Sequence, residues 1–290
     1  MNLEEYLERV GFCDPHDKLD LPTLSSIHRH HVLAIPFENL SIHCGEKLII
    51  DLEVIFDKLV RSRRGGWCFE NNFLFAWVLK ELGYNMTTLG SRIFSSSLND
   101  FDTAESHLIN MVVIEGKKYL ADVGFGVSYQ LREPLELVSG KDQPQAGGVF
   151  RLIDTGDVWV LEKTGRKPKI LNPEFASSSL LEKKLTKQIY CFSLLPRKVD
   201  HFFEINEELQ TGSDSLFTNK SICSLQMPKG FHALVGWIYS EVTYNPEEGV
   251  DTYDMKEIPD EEIEQILSEK FNVKLPNKFQ PMNNRVIYTL

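Results

Sequence analysis

The chain has 290 residues, 42% hydrophobic and 25% charged, which is an ordinary composition for a soluble globular protein of one large or two smaller domains. A net charge of −11 argues against nucleic acid as a partner, yet leaves room for an anionic small molecule held by local N–H groups and a few cations. The five scattered cysteines show neither disulfide-scaffold density nor C-x-x-C metal spacing, so a reducing compartment and no structural zinc are expected.

The N-terminus Met1-Asn2-Leu3-Glu4-Glu5 has acidic residues and no apolar signal core, and the run Phe73–Leu79 is too short to cross a bilayer. A cytosolic protein with no membrane contact is the expectation. Leu3, Tyr6, Leu7 and Val10 have helical spacing and Gly11 follows them. Asp20 and Pro22 suit the entry of a second helix, with Leu24, Ile27, His28 and His31 on one stripe. The run His28-Arg29-His30-His31 has no acidic or cysteine partner at metal spacing, so surface or hydrogen-bonded core histidines are preferred to a metal site. Pro36-Phe37-Glu38-Asn39 breaks that helix, and Phe37 reads as core. Asp51 caps a helix bearing Leu52, Ile55, Phe56, Leu59 and Val60. It ends in Arg61-Ser62-Arg63-Arg64, cations that suit the negative end of a helix dipole.

Next comes Arg64-Gly65-Gly66-Trp67-Cys68, followed by a buried-helix pattern through Phe69, Phe73, Ala76, Trp77, Leu79 and Leu82 to Gly83. Cys68 thus falls at a helix N-terminus, where unpaired N–H groups and the dipole favour an anion such as a thiolate. That placement suits a nucleophile. The alternative is one more small buried apolar residue.

Beyond Gly83 the pattern turns to strands, first Met86 to Phe94, then a polar loop from Ser95 to Ser106. Ser106 to Ile114 and Lys117 to Gly124 read as a hairpin around Glu115-Gly116, which pairs Ile114 with Lys117 and, further out, Ile109 with Asp122. His107 shares a face with Ile109, so Asp122 lies diagonal to His107, about 7–8 Å away at the backbone and within side-chain reach. A helix-N-terminal Cys68, a strand His107 and a neighbouring-strand Asp122 make a nucleophile, a base and an orienter. Val149 to Asp154 and Asp157 to Glu162 form a further hairpin, and Gln188 to Leu195 another strand, so a barrel or curled sheet is expected. Ile170 to Lys184 reads as a Ser-rich surface insertion. Val199 to Leu209 has helix spacing, Ser221–Met227 and Phe231–Trp237 read as strands, and Pro259 opens a helix bearing Ile263, Ile266, Leu267 and Phe271. The tail from Pro276 is polar. The expected fold is α+β. It divides into a helical domain over 1–83, a mainly β domain over 84–192, an interdomain segment over 193–229, and an α/β lid with tail over 230–290.

Arg64-Gly65-Gly66-Trp67-Cys68, His107 and Asp122-Val123-Gly124-Phe125-Gly126 resemble the arylamine N-acetyltransferases. Ile35–Leu40, Ser139–Gln145 and Ile222–Gln226 resemble vertebrate members, and the likeness spans essentially the whole chain. It implies catalytic Cys68, His107 and Asp122 in a papain/transglutaminase-like arrangement, with acetyl-CoA as donor and an arylamine or arylhydrazine as acceptor. It implies a ping-pong route through an acetyl-thioester, O-acetylation of N-hydroxyarylamines, a role in xenobiotic metabolism, a monomer and no metal. Thr103 and Ala104 fall where the family touches coenzyme A, and Gly124 and Gly126 supply a glycine loop for the donor. Phe37, Ser106, His107 and Phe125 fall at the acceptor, with Trp67 as a further wall. The resemblance also suggests that Arg64 braces the cysteine loop through Glu38, and that the tail folds toward the cleft. Glu208, Asp214 and Ile287 stand where other vertebrate members place coenzyme A contacts, so those contacts are not expected here. Competing readings are a cysteine hydrolase or transglutaminase-like enzyme with the same three residues, and a catalytically dead binding protein.

Overall fold

The computed structural model describes residues 1–284 and 288–290. Short polar side chains start its first helices. Asn2 accepts the Glu4 N–H to open α1 (Leu3–Val10), which stops at left-handed Gly11, and Asp20 accepts the Thr23 N–H to open α2 (Leu21–Ala34). After β1 (Phe37–Glu38) and α3 (Leu40–His43), Asp51 caps α4 (Leu52–Phe56). The expected helix does not stay regular. Residues Asp57–Arg61 widen into a π-helical turn while Leu59 and Val60 remain buried. α5 (Cys68–Leu82) begins on Cys68 and ends at Gly83, whose φ of 96° needs glycine.

The second region is β2 (Asn85–Ser95), β3 (Asp100–Phe101), β4 (His107–Ile114), β5 (Lys117–Ala121), β6 (Leu135–Glu136), β7 (Asp142–Gln145), β8 (Gly148–Asp154), β9 (Trp159–Thr164), β10 (Lys167–Ile170) and β11 (Thr186–Pro196). Most of these form one sheet in the order β6-β5-β4-β2-β11-β9-β8-β7. A bridge between Ser139, just past β6, and Leu152 on β8 ties its two ends, so the sheet curls toward a closed barrel. The β8–β9 turn is two residues longer than expected, because Asp154 pairs with Trp159.

α6 (Phe203–Thr211) and α7 (Leu216–Asn219) lead to β12 (Ile222–Met227), β13 (Gly230–Val235), β14 (Ile238–Asn245), β15 (Val250–Glu257) and α8 (Asp260–Phe271). The second sheet runs β1-β12-β13-β14-β15-β10, drawing its edge strands from the first two regions. α8 buries Ile263, Ile266, Leu267 and Phe271 in a core with Leu225, Leu234 and Tyr239 of that sheet. The segment after β10 is anchored rather than free. Leu180 and Leu181 are buried, and the Leu180 carbonyl accepts the N–H of Leu290, itself fully buried. Among the described residues no helix is long and apolar enough to cross a membrane.

Candidate active site

Cys68 sits at the first position of α5, where the helix leaves first-turn N–H groups without intrahelical partners. The loop before it is braced on both sides. Glu70 accepts the Trp67 N–H at 3.1 Å and takes both oxygens' worth of contact from Lys58, at 2.8 and 3.0 Å. Arg64 donates from Nε to Glu38 at 3.0 Å, and Glu38 in turn accepts the Leu40 N–H. The dipole role considered for Arg64 is therefore secondary to this buried ion pair. Asn71 donates to the Gly66 carbonyl and accepts from His31, whose other ring nitrogen accepts from Tyr6. Burial holds His31 down at about 3, so it stays a neutral link in this chain. His28 is likewise a core residue, bonded to the Arg132 carbonyl.

Across from Cys68, β4 and β5 pair Ile114 with Lys117 around Glu115 and Gly116, both at positive φ, as a two-residue turn requires. This register brings His107 Nε2 to 2.8 Å from Asp122 Oδ2, with both side chains buried. Asp122 takes Nε2, so Nδ1 is the ring nitrogen left to serve Cys68, which favours the protonated ring. Burial alone would lower the His107 imidazole, but the Asp122 carboxylate and Cys68 outweigh it and raise it to about 10. Burial would raise Asp122, yet His107 and its other donors hold it below the usual carboxylate range. The Cys68 sulfur also lies 3.8 Å from the Ser106 carbonyl.

Asp122 has three further donors: Asn72 Nδ2 at 2.8 Å, the Gly124 N–H at 3.0 Å, and the Tyr190 hydroxyl at 3.0 Å. Sequence reasoning missed Asn72 and Tyr190. The signal for Asn72 was an Asn-Asn pair inside an otherwise apolar helix; Tyr190 arrives on β11, with nothing in its neighbourhood to mark it. Gln130 was missed as well. Its Oε1 accepts the N–H groups of Phe125 and Gly126, and its Nε2 donates to the Asp122 carbonyl.

The amide N–H groups of 124, 125 and 126 are engaged within the protein, by Asp122 and by Gln130. Packing also calls for glycine at 124 and 126. A Cβ on Gly124 would meet Asn72 and the Cys68 backbone, and one on Gly126 would meet the Phe37 ring. Trp67 is fully buried and packed edge-on against Phe69 and Phe217, as a core residue is. Phe125 is half-buried and meets His107 edge-on and Tyr190 at a tilt, with ring centroids 5.1 and 5.7 Å away. Val127 and Tyr129 beyond it are buried. Val127 holds a φ of 43°, strained for a β-branched residue, and is pinned by Ser224 and Gln226 at its N–H and carbonyl. Phe37 is buried beside Gly126, Ser106 is half-buried, and Thr103 and Ala104 lie exposed on the approach to His107. Glu208 and Asp214 are exposed, so their charges turn to solvent; Ile287 lies outside the described residues.

A family model described as N-acetyltransferase matches residues 20–280. The chain is 51% identical over 290 residues, all of both chains, to a chicken (Gallus gallus) arylamine N-acetyltransferase, pineal gland isozyme NAT-10. It is 43% identical to human (Homo sapiens) arylamine N-acetyltransferase 1, again over the whole of both chains. Among solved structures, the arylamine N-acetyltransferase of Salmonella typhimurium superposes with a TM-score of 0.80 at 25% identity, covering 96% of this chain and 94% of that one. The Mycobacterium marinum enzyme in complex with CoA gives 0.78 at 26% identity, covering 94% and 93%. A mixed fold with a curled sheet, a cysteine, histidine and aspartate brought together in it, and full-length relatives of one kind agree: the chain belongs to the arylamine N-acetyltransferase family and is an acyltransferase.

Proposed function

We propose that this enzyme moves an acetyl group from acetyl-CoA to arylamines and arylhydrazines by a ping-pong route through an acetyl-thioester on Cys68, and O-acetylates N-hydroxyarylamines. The observation that carries this reading is the buried chain from Asp122 through His107 to Cys68 at the start of α5. The CoA bound in the Mycobacterium marinum neighbour supports the choice of donor. In the first half, His107 already holds the proton drawn from the Cys68 thiol while Cys68 Sγ forms a bond to the acetyl carbon. The bond to the coenzyme A sulfur breaks, and His107 returns the proton to that sulfur. In the second half the amine nitrogen attacks the thioester, His107 takes its proton, and the C–S bond breaks to restore the thiol. Asp122 keeps His107 in the required tautomer and stabilises the imidazolium. On this reading Thr103 and Ala104 meet the donor, and Phe37, Ser106, His107 and Phe125 the acceptor. The same reading makes the protein a cytosolic, monomeric enzyme of xenobiotic metabolism.

Intact mass after incubation with acetyl-CoA and no amine tests the route. Wild type is expected to carry one acetyl group, Cys68→Ala none, and an aniline-type acceptor is expected to discharge it. Coenzyme A release that no amine accelerates would point instead to a hydrolase. A second expectation concerns acceptor size. Phe125 is packed against His107, Tyr190 and Tyr129, so it cannot swing aside freely. Flat single-ring amines should show kcat/KM about tenfold or more above bulky biphenyl amines, within the range that steric pocket discrimination supplies. Equal values would overturn this.

A further inference from the structure

A recess of about 480 Å³ opens in the helical region between α4, the segment after α3 and the segment after α8. Its size suits a small molecule. Leu48, Val54, Leu275 and Pro276 supply apolar walls, and Lys58 and Arg64 lie among the lining cations. Both side chains are largely buried, 16% and 4% exposed. Lys58 gives two N–H groups to Glu70, which leaves its third. Arg64 is held by Glu38 and Ser41 through Nε and Nη2, but Nη1 has only a 3.5 Å contact with the more exposed Glu46. In a chain of net charge −11, this recess is lined by four cations (Lys47, Lys58, Arg64, Lys274) and three carboxylates (Glu46, Asp57, Glu70), and Glu38, the buried partner of Arg64, makes the two signs equal. At that even balance a single negative charge enters by taking the place of the loosely held Glu46, and a second is disfavoured. A wholly apolar occupant would leave the buried donors unanswered.

We propose that this recess is a second ligand site, for a small monocarboxylate with a short apolar body. The carboxylate takes the third N–H of Lys58 and displaces Glu46 from Arg64 Nη1, a charge-assisted arrangement. The body lies on Leu48, Val54, Leu275 and Pro276. Glu70, which lines the recess, also accepts the Trp67 N–H, so the occupant sits beside the brace of the Cys68 loop. The site does not depend on the acetyl-transfer route proposed above.

The test is calorimetric titration of hexanoate, with hexanamide as the uncharged control, into enzyme whose Cys68 has been capped with iodoacetamide to close the other cleft. One saturable hexanoate site per chain is expected, with hexanamide about tenfold or more weaker, the loss of one charge-assisted hydrogen-bond set. Val54 is half exposed, so Val54→Trp should fill the recess without threatening the fold and abolish binding, with thermal melting as the check. Glu46→Gln, which removes the competing carboxylate, should tighten hexanoate about three- to tenfold. Equal binding of hexanoate and hexanamide, unchanged affinity in folded Val54→Trp, or no saturable binding would each overturn the proposal.

Discussion

Asp122→Asn should leave the chain folded and lower acetyl transfer by about 10³–10⁴-fold, the cost typical of breaking the orienting member of such a triad. The reason lies in the four donors that converge on the carboxylate. An asparagine there can keep one oxygen toward Asn72 and Gly124, which turns its amide NH₂ toward His107 and Tyr190. The tyrosine hydroxyl can rotate to accept. The imidazole can accept only by moving its proton to Nδ1, the nitrogen that must take the Cys68 proton. Geometry survives and the base is lost. Removing the carboxylate also removes what holds the imidazole high, so burial should pull His107 down from about 10. Alkylation of Cys68 by iodoacetamide at neutral pH should slow in parallel with transfer, and activity within tenfold of wild type would overturn the assignment.

The same pair sets a stability window. His107 is raised in the folded state, so its contribution is complete below its ordinary value near 6.5 and is lost as pH rises toward 10. Asp122 is lowered, so its contribution is present above its ordinary 3.8 and is lost as pH falls through the depressed value. Together they favour the native state at intermediate pH. Asp122→Asn should therefore narrow the difference in melting temperature between neutral and alkaline solution.

What the sequence made legible was local. The hairpin at Glu115-Gly116 was readable because a two-residue turn restricts backbone conformation, and one register then carries His107 to Asp122. Cys68 was readable because glycines and a buried-helix pattern abut it. The supports were not. Tyr190 reaches Asp122 from 68 residues away on a strand whose face is fixed only by its barrel neighbours. Gln130 acts on backbone N–H groups, an arrangement with no side-chain partner to look for. The packing around the glycines at 124 and 126 was not legible either, because sequence shows that a side chain is missing without showing what fills its place. β10 pairs in parallel with β15 across more than 80 residues, and no periodicity in either strand encodes that partner.

The brace between Arg64 and Glu38 makes the strongest stability prediction. Glu38 is fully buried and Arg64 nearly so, and Glu38 has only Arg64 as its cation within ion-pair distance among the described residues. Burial opposes the guanidinium charge, but Glu38 and Glu46 more than restore it. Arg64→Met therefore leaves a buried carboxylate without its partner, which typically costs about 3–5 kcal/mol. For a chain of this size that is a fall in melting temperature on the order of 10 °C. Arg64→Lys should recover only part of the loss, since an ammonium cannot reproduce the fork that joins Glu38, Ser41 and Glu46. If the cost comes from the stranded charge rather than from lost packing, adding Glu38→Gln to Arg64→Met should restore a large share of the stability. A double-mutant cycle by chemical denaturation would then give a coupling energy of about 1 kcal/mol or more, as interacting neighbours do. Simple additivity of the two substitutions would show that the loop is held by something other than this pair. The effect should also reach Cys68, because Gly65 is packed against the Pro36 backbone and the Glu38 side chain, and the Gly66 N–H and carbonyl bond the Pro36 carbonyl and the Glu38 N–H. Loosening Glu38 loosens the strand on which the Arg64–Trp67 loop rests, so transfer activity in Arg64→Met should fall at temperatures well below its melting point.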